Sequence, residues 1–417
     1  MKSIPIISLL AALVLLGCQQ QTVSYPTLRP ETPLASLPFF PADAVIVSAT
    51  PSPEAPITPG KVLERYTVQA GDTLSDIADR YNLSQDELMQ MNGLTNANFL
   101  RIGQVLQLRV QVSRVAPSTR LIPDSEMVYS PSYAGFDTGA FVARYPGLLR
   151  TYSERVDGVV LGGADIVQLV AERYSVGPRV LLALLEFQSG WVTGQPVSAF
   201  DRNFPFGLQD GNKTNLYRQA AWAANTLNEG YYGGMAGRTT TLKFKDRSRA
   251  QIHPSANFGS VGLELALART MNWNDFQAAI GTGNKSFVQT YRTLLGDPFA
   301  NALEPLVPPN LKQPVMRLPW TDGFTWYFTG GPHGGWDSGS AWAAVDFAPR
   351  DQAGTCWTSS DWAIASIPGT IVRAEHGRVI EQLDGTDFTS AGWSILYMHM
   401  AAQGRVAVGT RVNTGDR

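Results

Sequence analysis

Apolar residues recur along the chain in several rhythms, and each predicts a different kind of element. Residues 6–16 form an almost unbroken apolar run behind Lys2. A membrane span needs about 20 apolar residues, so this run reads as the core of a secretory signal. Over residues 19–60 no period survives. Nine prolines fall there among Ser, Thr and Ala, which predicts an extended, semi-rigid tether. A strand at 66–68 and the turn Gly71-Asp72 then lead into a helix with Leu74, Ile77, Ala78 and Tyr81 on one face. Ser84, with Glu87 three residues on, opens a second helix with a capping box. Residues 100–108 return as a strand, giving the order βααβ.

After a polar linker at 111–136, apolar residues take helical spacing in 164–174, 178–188, 215–228, 260–271 and 285–295. A mostly α domain over 137–310 follows from that spacing. From 311 to 417 the period drops to two, with Gly turns between the runs, which predicts a β-rich antiparallel domain. The expected fold is therefore multidomain: a small βααβ module at 63–110, a mostly α middle domain and a β-rich C-terminal domain.

Composition narrows the function. A length of 417 residues suits two or three domains, and 44% hydrophobic residues supply their cores. Net charge is −2, with 16% charged residues, which excludes a nucleic-acid binder driven by bulk basic charge. Two cysteines, Cys18 and Cys356, rule out a multi-cysteine metal knuckle. Four histidines, His253, His333, His376 and His399, are the whole supply for any imidazole-based metal site.

Leu15-Leu16-Gly17-Cys18 resembles the lipobox of bacterial lipoproteins. The resemblance implies a signal peptide at 1–17 and an acylated Cys18 as the start of a membrane-anchored tether at 18–62. It places the chain in the cell envelope, on the outer side of the cytoplasmic membrane or in the outer membrane. Residues 66–108 resemble LysM domains, which bind N-acetylglucosamine glycans such as peptidoglycan. By position the glycan groove would be lined by Gly71, Asp72, Thr73 and Leu74 with Asn98, Phe99, Leu100, Arg101 and Ile102. Backbone amides at a helix start suit acetamido oxygens. For Leu74 and Ile102 plain packing is an equal reading.

In the middle, Gln188-Ser189-Gly190-Trp191 and Phe206-Gly207-Leu208-Gln209 faintly resemble lytic transglycosylases of the lysozyme superfamily. Gln188 stands where that family has its general acid, and an amide cannot donate a proton as an acid does. Glu186, two residues away, lies about 200° around a helix. The expectation is a lysozyme-like domain that binds glycan without cleaving it, with an unrelated helical spacer as the alternative.

His333, Asp346-Phe347-Ala348-Pro349 and Tyr397-Met398-His399 resemble the lysostaphin-type zinc metallopeptidases, with the beta-lytic endopeptidases nearest. That resemblance implies zinc ligation by His333 and Asp346, on neighbouring strands, and a catalytic His399 that assists the bound water and oxyanion. Asp337 also fits a His-x-x-x-Asp spacing but sits in a Gly-Ser loop. The family's third ligand belongs to a His-x-His motif, and no such motif occurs in the chain. The peptidase domain is therefore expected to be incomplete, with Cys356 either a buried thiol or paired beyond Arg417. The expected function is a cell-wall hydrolase in which LysM docks on peptidoglycan and a zinc metalloendopeptidase cuts peptide cross-links. The alternative is a non-catalytic peptidoglycan-binding or hydrolase-activating lipoprotein.

Overall fold

A computed structural model describes residues 60–417 apart from 70, 82, 196–197, 308–311, 335–341, 350–358, 376 and 388–389. Cys18, the signal segment, most of the tether, Asp337, Cys356 and His376 lie outside the described residues. Among the described residues no helix is long and apolar enough to cross a membrane.

The first module is βααβ, in the order expected. Strand β1 (Lys61–Thr67) pairs antiparallel with β2 (Val105–Gln111), and α1 (Leu74–Tyr81) and α2 (Gln85–Met91) pack beside them. Strand β2 alternates exposed and buried positions, so Leu106, Leu108 and Val110 face Leu74, Ile77 and Leu88 in one small core. Ser84 and Glu87 form the capping box. The return strand begins later than expected. Residues 101–104 form a turn, closed by the Gln104 amide on the Arg101 carbonyl at 2.9 Å, with Gly103 left-handed at φ 84°.

Of residues 111–136, read from sequence as linker, Gln111 completes β2 and the stretch from Arg114 on is instead part of the helical domain. Leu121, Ile122 and Met127 are fully buried and Tyr133 nearly so. The segment folds as α3 (Asp124–Met127) and a single 3-10 turn at Pro131–Tyr133. Then come α4 (Thr138–Val142), α5 (Leu148–Thr151), the hairpin β3 (Ser153–Val156) and β4 (Val159–Gly162), α6 (Gly163–Tyr174) and α7 (Pro178–Ser189). They are followed by α8 (Ala199–Asn203), α9 (Asn215–Met235), the hairpin β5 (Thr241–Lys243) and β6 (Arg249–Gln251), α10 (Phe258–Thr270), α11 (Trp273–Ile280) and α12 (Phe287–Leu295).

Two features hold this domain together. Helices α9 and α10 cross on glycines: a Cβ on Gly230 would lie 2.6 Å from the Gly262 Cα. A buried cluster ties three segments, with Arg179 bonding both Glu126 carboxylate oxygens at 2.7 Å and lying 3.9 Å from the Tyr133 ring centre. Tyr291 donates to the same carboxylate.

The C-terminal region is antiparallel β, in two sheets. Strand β7 (Trp326–Gly334) pairs with β8 (Trp342–Pro349). The second sheet has the order β11-β10-β9-β12, from β9 (Gly369–Glu375), β10 (Arg378–Gln382), β11 (Ser394–Met398) and β12 (Arg411–Val412). Its core is small: Ala365, Ile371, Val379 and Val412.

Candidate functional site

The two loops expected to form the glycan groove are brought side by side by the ends of β1 and β2. The Val68 amide donates to the Gln104 carbonyl at 2.8 Å, and the Gly103 amide returns to the Val68 carbonyl at 2.9 Å. In the first loop Gly71 is left-handed at φ 88°, with open space where a Cβ would be. Asp72 is held by the Tyr66 hydroxyl at 2.5 Å and the Gln69 amide at 2.8 Å. Thr73 Oγ1 accepts the Asp76 amide at 3.1 Å and so caps α1. Leu74 is 1% exposed and belongs to the module's core, not to a groove wall, because it is the first inward position of an amphipathic helix.

The second loop does the opposite. Phe99 is 73% exposed and Ile102 71% exposed, while Leu100 packs on the core between them. Asn98 and Arg101 are exposed at its rim, their amides tied to the side chains of Asn96 and Gln104 at 2.9 and 3.1 Å. Two apolar side chains standing clear of the surface beside a helix start suit a sugar's methyl and ring faces.

In the helical domain the structure brings Gln188 and the Gly207 turn together. Gln188 Nε2 donates to Thr270 Oγ1 at 3.1 Å, and a Cβ on Gly207 would sit 2.9 Å from Gln188 Oε1. Glu186 is committed to structure: one carboxylate oxygen accepts the Val192 and Thr193 amides at 2.9 and 3.0 Å, and the other the Thr193 hydroxyl. It holds the chain where α7 ends at Gly190 (φ 68°). His253 sits in a loop, with Nδ1 2.7 Å from the Ser255 hydroxyl.

A different acid stands out here. Glu264 on α10 is fully buried with neither carboxylate oxygen hydrogen-bonded. Burial pushes it up to about 8 from the usual 4.5, so it is neutral at pH 7. Sequence reasoning missed it, since it reads as one acid in an apolar helix.

His333 and Asp346 do lie on neighbouring strands. In the β7–β8 register Asp346 is opposite Gly330 and His333 opposite Ala344. The register shifts between Gly330 and His333, a bulge where side chains are re-aimed. Gly330 carries no side chain to crowd Asp346, whose Oδ2 would lie 3.3 Å from a Cβ there. The His333 side chain lies outside the described residues.

His399 follows β11, in the other sheet, exposed and left-handed at φ 62°. Its neighbour Tyr397 fixes the strand end. Its hydroxyl donates to Glu381 at 2.7 Å and accepts the Ser366 amide at 2.9 Å, and burial pushes both the phenol and the Glu381 carboxyl up. An imidazole and a carboxylate on adjacent strands are suitable zinc donors. Among the described residues no group of three His, Cys, Asp or Glu could hold a metal ion.

Comparison with known proteins now assigns the first two regions. Residues 66–109 match the LysM domain. Residues 120–309 match the N-terminal domain of LasA. The LysM match ends within β2, and the LasA match takes in most of the segment expected to be linker as well as the Gln188 segment expected to resemble lytic transglycosylases. Two relatives called Protease LasA, from two strains of Pseudomonas aeruginosa, are 26% identical over 310 residues, 68% of this chain. The chain spans 64% of their length. N-acetylmuramoyl-L-alanine amidase XlyA of Bacillus subtilis is 28% identical over 126 residues, 30% of this chain and 39% of the amidase. No solved structure matches the chain.

Proposed function

We propose that this chain is an envelope protein that docks on peptidoglycan through its LysM groove and carries a hydrolase region directed at the peptide cross-links. The docking half rests on the paired loops that hold Phe99 and Ile102 out beside the α1 start. The hydrolytic half rests on the β7–β8 register, which sets His333 and Asp346 on neighbouring strands. The LasA relatives, proteases by name, support that direction. His333 and Asp346 would hold zinc, which when bound supplies water activated near neutral pH. His399, exposed past the anchored end of β11, would donate a hydrogen bond to a developing oxyanion.

The test is zinc content by equilibrium dialysis together with analysis of sacculus digests. Zinc binding that falls in both His333→Ala and Asp346→Asn, with release of peptides and no new reducing sugar ends, is the expected result. Zinc binding indifferent to both variants would overturn the ligand assignment. A second reading, a non-catalytic peptidoglycan binder, is favoured by the match of residues 66–109 to a LysM domain. It predicts sacculus binding with no release of fragments.

The sequence pattern at 15–18 supports anchorage through an acylated Cys18. Incorporation of labelled palmitate, lost in Cys18→Ser, is the expected outcome.

A further inference from the structure

Strand β1 of the LysM module meets the β5–β6 hairpin of the helical domain through contacts that a glycan groove does not need. Thr240 Oγ1 donates to the Leu63 carbonyl at 3.2 Å. Arg249 bonds Glu64 at 3.2 Å, and its guanidinium lies 4.8 Å from the Tyr81 ring centre. Beside this seam opens a cleft of about 370 Å³, whose charged lining is Glu64, Arg65, Glu229, Arg238, Lys243 and Arg269. Four cations thus face two carboxylates, in a chain whose net charge is −2. Glu64 pairs with Arg249, which does not line the cleft, and Glu229 pairs at 2.6 Å with Arg269, which does. The potential in the cleft is therefore positive, and low-dielectric walls focus such a field.

We propose that this cleft is an anion subsite that takes the carboxylates of the peptides borne on a peptidoglycan strand, while the LysM groove takes the sugar. The lining suits that ligand. Guanidinium groups pair carboxylates in a fork geometry. The Thr241 hydroxyl lines the same wall, and buried Phe244 and Leu265 give it an apolar base for an alkyl side chain. One strand connects the two sites. Arg65 lines the cleft, and Tyr66, next in β1, bonds Asp72 in the first groove loop. Alternation along β1 sends the two side chains to opposite faces. The inference rests on the peptidoglycan reading above and adds a preference within it: peptide-bearing strands over bare glycan.

Calorimetric titration of the full chain tests it. The probes are soluble peptidoglycan strands with their peptides, the same strands stripped of peptides, and a glycerol phosphate polymer. Peptide-bearing strands are expected to bind about tenfold tighter than stripped ones at low salt, with the gap closing at high salt. Arg65→Ala/Arg238→Ala should abolish the gap and leave binding of stripped strands at the wild-type value. Lys243→Glu, at an exposed position, should narrow the gap without any burden on folding. Equal affinity for both strands, or a gap that survives these variants, overturns the subsite. Variants that lose the phosphate polymer but keep the gap overturn its assignment to peptide carboxylates. Failure of both strands to bind would instead overturn the peptidoglycan reading.

Discussion

The helical domain and the β7–β8 pair use their large side chains in opposite ways. In the helical domain Trp191, Phe206, Phe276 and Phe287 are fully buried, and helices approach closely enough that only glycine fits between α9 and α10. In the β7–β8 pair Tyr327, Phe328 and Val345 are each more than half exposed. Residues of the first region are fixed by packing, so changes there should be read in stability. Residues of the second face outward, so changes there should spare stability and be read in ligand binding.

The sharpest way to break that contrast is at the Glu126–Arg179 pair. Arg179→Met leaves a carboxylate buried at 2% side-chain exposure without its cation, and should cost about 3–5 kcal/mol in chemical denaturation. A loss under about 1 kcal/mol would mean the pair is solvated in solution. Gly230→Ala comes next. Its Cβ would meet the backbone of α10, with the Gly262 Cα at 2.6 Å and the Val261 carbonyl at 2.7 Å, so overpacking should cost about 2–3 kcal/mol.

Glu264 gives the contrast a pH signature. The folded carboxyl keeps its proton up to about pH 8, whereas the unfolded one loses it near 4.5. Folding is unpenalised below the unfolded value, and stability declines as pH rises from there towards 8. Stability should therefore fall by about 2 kcal/mol between pH 6 and pH 8, read by thermal unfolding, and Glu264→Gln should flatten that slope. An unchanged slope in the variant would put its origin elsewhere. The smallest effect belongs to Asp346→Asn, at an exposed position, which should stay within about 0.5 kcal/mol of wild type.

Helices α6, α7, α9 and α12 were legible because their apolar positions recur at helical spacing for two turns or more, and α10 because it is a long apolar run buried on every side. So was the start of α2, from Ser84 and Glu87 alone. The hairpins β3–β4 and β5–β6 were not, since strands of three or four residues are too short to show alternation. Residues 111–136 misled for a related reason: Leu121-Ile122 is an isolated apolar pair among polar neighbours, and only the fold reveals that it is core. Within the candidate site, the groove loops were legible as a family pattern, but Leu74 could be told from Ile102 only by burial. The junction cleft was invisible in the sequence, because Arg65 and Arg238 belong to different modules and meet only when β1 packs on the β5–β6 hairpin.

The LysM groove is tested most directly by co-sedimentation of the full chain with purified peptidoglycan sacculi, wild type against Phe99→Ala/Ile102→Ala. Both side chains are more than 70% exposed, so the variant should fold as wild type does. Wild-type protein should pellet with the sacculi, and the variant should need about tenfold more sacculi to do so. Wild-type protein left in the supernatant, or a variant that pellets equally well, would contradict docking through this groove.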